Sequence, residues 1–176
     1  MRWRTAAAAG LAIAASAVAG PAAPAEARAA AAKPSAATAP TRTVDAGGLT
    51  IGYRSIGSGP PVVLVMGLSG TMDSWDPTFV DAIARAGHRV ILFDNEGIGR
   101  SEARAAPLTI RRMGDNTDRL IRALKLRRPD VVGWSMGGMI AQSFAVRHPK
   151  SLRRLVLLAT APGDGKAALP NFDGAQ

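Results

Sequence analysis

The chain has 176 residues, 47% hydrophobic and 20% charged, which is enough for one globular domain. It has no cysteine, which excludes disulfides, a thiol nucleophile and any Cys-ligated metal site. Its net charge is +9, but the basic residues near Arg111-Arg112, within 119–128 and within 150–154 carry no interleaved aromatics. They read as solvated helix faces and not as a nucleic-acid surface.

Arg2 and Arg4 precede an apolar run over 6–19, and small residues follow at Ala25-Glu26-Ala27 and Ala27-Arg28-Ala29. This pattern predicts a cleavable export signal over 1–29 and a periplasmic or extracellular product. The run is too short and too weakly hydrophobic to predict stable membrane insertion once the signal is cleaved. Residues 30–42, rich in Ala and Pro, predict a flexible linker. A folded core is expected over 43–165 and a tail over 166–176.

Within the core, 43–56 predicts two short strands broken at Gly47-Gly48, and 57–61 a turn. The apolar run at 62–66 predicts a strand buried on both faces, followed by a loop at 67–70. A helix is predicted over 75–86, with Asp73 or Ser74 as N-cap and Gly87 as its stop. Residues 90–93 predict a second buried strand, and 94–101 a glycine-containing loop. An amphipathic helix over 110–126 places Leu120, Ile121 and Leu124 on one face. A strand at 130–134, a helix at 136–147 and a strand at 155–158 complete the series. Strands that alternate with helices predict an α/β fold, a mostly parallel sheet with helices on both faces. Ligands gather at the carboxyl ends of such strands, and the three glycine-bearing loops all fall on that edge.

Gly133-Trp134-Ser135-Met136-Gly137 lies where an apolar strand passes into an apolar helix. Gly-x-Ser-x-Gly in that context predicts a nucleophile elbow. The turn is so tight that a side chain two residues before or after the serine would clash, which Gly133 and Gly137 avoid. Ser135 Oγ would then stand exposed above the sheet. The Met136 N–H at the helix start, with the Leu68 N–H from the neighbouring loop, would face a developing oxyanion. A Gly-rich connection or a tight turn without catalytic duty is the alternative for each loop.

Residues 49–160 resemble the first part of an α/β-hydrolase-fold protein. The resemblance rests on 62–70 as strand and oxyanion turn, Trp75 in the first helix, Phe93-Asp94-x-x-Gly97-x-Gly99-Arg100-Ser101, the elbow, His148-Pro149 and the strand near 152–159. It is most similar to the esterase and lactonase-like branch, including enol-lactone hydrolases and methylesterases. The resemblance implies a serine hydrolase acting on a carboxylic ester, lactone or similar acyl bond of a small molecule, with no cofactor and no metal. A cofactor-free haloperoxidase or carbon–carbon bond hydrolase of the same fold is an alternative, and so is a non-catalytic remnant or binding module.

The chain departs from the family pattern in three places. It has Met66-Gly67 where His-Gly is usual, which leaves the following backbone N–H in place. It has Glu96 where Arg is common, in a loop expected to border the site. The family order is nucleophile, acid, histidine, with the last two on loops after later strands that have no counterpart in these 176 residues. The fold is therefore expected to be C-terminally incomplete and the short chain inactive or weak. Its strand at 155–158 is expected to form an apolar sheet edge. His88 and His148 are read as structural, away from Ser135. Asp164 is a candidate acid, with an exposed Gly-Asp-Gly turn as the competing reading.

Overall fold

A computed structural model describes residues 35–162. The predicted signal, the tail and Asp164 lie outside the described residues. Six strands form one sheet: β1 (Arg42–Asp45), β2 (Thr50–Ile56), β3 (Pro61–Val65), β4 (Arg89–Phe93), β5 (Asp130–Trp134) and β6 (Arg154–Leu158). Their spatial order is β1-β2-β4-β3-β5-β6. The hairpin β1–β2 joins β4 in antiparallel fashion, and β4, β3, β5 and β6 run parallel. Three helices connect the parallel strands: α1 (Pro77–Arg85), α2 (Ile110–Ala123) and α3 (Met136–Arg147).

The two continuous apolar runs became β3 and β4, the central strands, because both their faces are covered. Val63 and Val65 pack with Ile91, Phe93, Leu120, Ile140 and Phe144 on the face that carries α2 and α3. Val62 and Leu64 pack with Val90, Leu92, Val132 and Val80 of α1 on the other. At the edge, β6 has only β5 as a strand neighbour among the described residues. Its Val156 and Leu157 are 44% and 41% exposed, which makes this an apolar edge.

Three features differ from the sequence expectations by more than a one-residue shift. The helix expected over 75–86 begins at Pro77, after a separate 3-10 turn at Met72–Ser74 that Thr71 caps. Proline lacks an N–H and disfavours helical backbone in the residue before it, so Asp76 becomes the N-cap instead of Asp73 or Ser74. Asp76 accepts hydrogen bonds from the Thr78 and Phe79 N–H groups at 2.6 and 3.2 Å. Those N–H groups, that of Phe79 first, hold its carboxyl below the ordinary carboxylate range.

The helix expected to reach residue 126 stops at Ala123. Lys125 adopts a φ of 53°, and the Leu126 N–H returns to the Ile121 carbonyl at 3.0 Å. That reversal is a Schellman motif, and it turns Leu126 into the core. The third difference concerns the stretch read as a flexible linker. Its described part is ordered against the fold: Ala36 and Ala39 are buried beside Ile56 and Val80, and the Ala36 N–H donates to Asp81 Oδ1 at 2.7 Å. Alanine is small enough to pack a turn against α1, which composition alone does not reveal.

Candidate active site

The chain path fixes where a site can form. From β3 the chain crosses to β4, then returns over β3 to β5, so its direction reverses between β3 and β5. A crevice opens outside the carboxyl ends of strands at such a switch point. The loops leaving β3 and β5 carry Gly67-Leu68 and Ser135.

Ser135 sits between β5 and α3 with φ 55° and ψ −126°. This is a left-handed conformation that costs a non-glycine residue of order 1–3 kcal/mol and persists only where its surroundings enforce it. Here they do. The Ser135 N–H donates to the Leu158 carbonyl at 3.0 Å, and the Ser135 carbonyl accepts from the Thr160 hydroxyl at 2.7 Å. A Cβ on Gly133 would lie 2.4 Å from the Gly137 carbonyl oxygen, and one on Gly137 would lie 2.1 Å from that of Val65. Both glycines are therefore required by close approach. The serine itself is exposed.

Two elements meet at it, the start of α3 and the loop that leaves β3. Met136 is the first residue of α3, so its N–H has no acceptor within the helix and lies at the positive end of the helix dipole. Gly67 abuts the serine: a Cβ there would be 3.1 Å from Ser135 Cβ and 3.6 Å from Oγ. Leu68 follows, 74% exposed, and its N–H meets no acceptor among the described residues. The Met66 side chain is buried in the core, while its carbonyl accepts from Asn95 Nδ2 at 3.0 Å. Asn95 thus fixes the end of β3 from the next strand's loop. In the same loop, buried Asp94 accepts from the N–H groups of Met72 and Arg100 at 2.7 and 2.8 Å. Sequence reasoning missed Asn95 and Thr160, because nothing local marks a side chain that supports a distant carbonyl. It also missed Gly138, where a Cβ would lie 2.5 Å from Thr160.

Glu96 does not face open solvent beside the serine. It is buried, ion-paired with Arg112, and accepts from Asn116 Nδ2 at 2.6 Å, which ties the loop to α2.

Neither histidine approaches Ser135. His148 follows α3, whose 12 residues set it roughly 18 Å along the helix axis from the elbow. Its Nε2 lies 2.8 Å from Asp115 Oδ1, and its ring stacks on Phe144 with centroids 5.9 Å apart. Arg147 also grips Asp115, with its Nε and Nη2 3.0 and 2.8 Å from Oδ1. His88 precedes β4, at the edge of the sheet opposite Ser135. Among the described residues, no group of three or more His, Asp or Glu side chains is placed to hold a metal ion.

Two carboxylates of this framework titrate abnormally. Burial pushes the Asp115 carboxyl up, but hydrogen bonds from His148 and Arg147, with their charge, hold it below the ordinary range. The Arg153 hydrogen bond holds Asp130 low against its partial burial. A depressed folded-state pKa stabilises the fold above the unfolded value of about 3.9 and ceases to do so as pH falls through the folded value. Urea midpoints are therefore expected to drop on acidification below about pH 4. Asp115→Asn should flatten that drop; a variant with the parent's pH profile would refute the role given to Asp115.

Residues 60–173 match the family described as alpha/beta hydrolase fold. The chain belongs to the α/β-hydrolase family. A Mycobacterium tuberculosis protein provisionally named non-heme bromoperoxidase BpoC is 40% identical over 112 residues, 64% of this chain and 42% of that protein. A 2-hydroxy-6-oxononadienedioate/2-hydroxy-6-oxononatrienedioate hydrolase of Paraburkholderia phymatum is 34% identical over 132 residues, 69% of this chain and 44% of that enzyme. A solved α/β-hydrolase fold protein from Chitinophaga pinensis superposes with a TM-score of 0.65 at 33% identity, covering 70% of this chain and 45% of that one. The chain thus spans less than half the length of these α/β-hydrolase relatives.

Proposed function

We propose that this α/β hydrolase acts on an acyl bond of a small molecule, an ester or lactone, with Ser135 as nucleophile. The supporting observation is the strained, exposed serine at the start of α3, with Gly67 of the β3 loop packed against it; the N–H groups of Met136 and Leu68 would be the oxyanion donors. Ser135 Oγ would attack the carbonyl carbon and form the tetrahedral intermediate. Its oxyanion would sit between those two donors, which in a dry site contribute several kcal/mol. Collapse would expel the alcohol and leave an acyl-serine that water hydrolyses. A general base must take the serine proton within hydrogen-bond reach. His148 is held by Asp115 and His88 lies at the opposite end of the sheet, so neither reaches Ser135, and that base would come from outside the described residues. Export through the segment 1–29 would place the enzyme outside the cytoplasm.

The bromoperoxidase name of one relative favours a second reading, perhydrolysis at the same serine. Peroxide would replace water in attacking the acyl-serine.

The test is fluorophosphonate labelling of the protein isolated from its native host, with intact mass and peptide mapping. A label on the Ser135 peptide, in a protein heavier than residues 30–176, supports the proposal. An intact protein that excludes the label from Ser135 would sink it. Comparing p-nitrophenyl ester hydrolysis with peroxide-dependent bromination then separates the two readings.

A further inference from the structure

A second concave feature lies apart from the elbow. A cleft of about 280 Å³ opens at the start of α2, lined by Arg104, Arg111, Arg112 and Arg119 together with Asp115 and Asn116. The charges there do not balance. Asp115 is occupied by Arg147 and His148 from α3. Arg112 is neutralised by Glu96. Arg104, Arg111 and Arg119 have no carboxylate partner among the described residues.

Position makes the imbalance more costly. Arg111 and Arg112 occupy the first turn of α2, which contains no acidic residue. Cations there oppose the positive end of the helix dipole. Arg119 is steered toward the cleft by its Nη1 bond to Asn116 Oδ1, and Arg104 reaches the Gly47 carbonyl at 3.4 Å. A local electrostatic conflict that the fold does not relieve points to function. Planar guanidinium groups match the oxygens of phosphate with paired hydrogen bonds.

We propose that this cleft binds a phosphoryl oxyanion, held by Arg104, Arg111 and Arg119. The proposal does not depend on chemistry at the serine. Calorimetric titration of inorganic phosphate into the full chain at constant ionic strength is the test. One saturable site is expected. Arg111→Gln with Arg119→Gln should weaken it at least tenfold, and Arg104→Gln alone should weaken it measurably. Arg127→Gln with Lys150→Gln, which removes the same charge from exposed positions elsewhere, should leave it within twofold. No saturable uptake, or equal weakening by the two double variants, would overturn the site. Phosphatidylglycerol vesicles then identify the source of the phosphoryl group. Retention that the Arg111/Arg119 variant loses makes the ligand a lipid headgroup; no retention makes it a soluble phosphoester.

Discussion

Ser135→Ala is expected to lower acyl-ester turnover of the intact protein by about 10⁴- to 10⁶-fold, with little change in folding. The size of the loss follows from the role given to the hydroxyl. Without Oγ there is no acyl-enzyme, and only the Met136 and Leu68 N–H groups remain to stabilise charge developing on a carbonyl attacked directly by water. Such a hole alone leaves about 10³-fold over the uncatalysed reaction. The fold should survive because Ser135 is held through its backbone, by the Leu158 carbonyl and the Thr160 hydroxyl. Its Oγ makes no hydrogen bond among the described residues. Alanine at φ 55° bears the same strain as serine. Ester kinetics with a circular dichroism melt would decide the matter. A variant that keeps more than a tenth of the parent kcat would remove Ser135 from the chemistry.

Gly137→Ala should destabilise the fold by more than about 3 kcal/mol, beyond the usual cost of overpacking. The added methyl would stand 2.1 Å from the Val65 carbonyl oxygen and 2.7 Å from that of Met66. Neither is the mobile end of a side chain. Both belong to the backbone at the end of β3, and Asn95 pins the second of them. Relief would require α3 to lift from the sheet, which would open the packing of Ile140 and Phe144 and withdraw the Met136 N–H from the elbow. Gly48→Ala is the control. Gly48 has a φ of 76°, but a Cβ there meets nothing within 4 Å. Only conformational strain of roughly 1–2 kcal/mol is expected at that position. Denaturant unfolding of the two variants side by side checks the contrast. Gly137 lies within α3 and has no positive φ, so equal losses would refute close approach as the reason for glycine there.

Much of the fold is legible in the sequence. The runs at 62–66 and 90–93 are apolar at every position, so only a strand covered on both faces could hold them, and they became the two central strands. The elements at 130–134 and 136–147 were bounded correctly because strand, glycine, serine and helix follow one another with no ambiguous residue between. Gly-x-Ser-x-Gly between an apolar strand and an apolar helix predicted the strained turn at Ser135, since that constraint is local: two glycines and a serine within five residues.

Other features were decided only in three dimensions. Asp76 took the cap because Pro77 lay next to it, a competition between two adjacent preferences. Ala36 and Ala39 were buried because α1 and β2 offered them a surface, so composition misread the described part of that segment as flexible. Glu96 found Arg112 and Asn116, and Thr160 found the Ser135 carbonyl, across 25 residues in the latter case. The arginines of the cleft looked like solvated charge in sequence. Folding brought Arg104 from a loop against Arg111 and Arg119 on α2, and it gave the intervening Asp115 to α3. Local spacing determines elements and turns, because those depend on neighbours within a few residues. Partners for buried polar groups and convergence of charge depend on which distant elements the sheet brings together, and no local pattern encodes that.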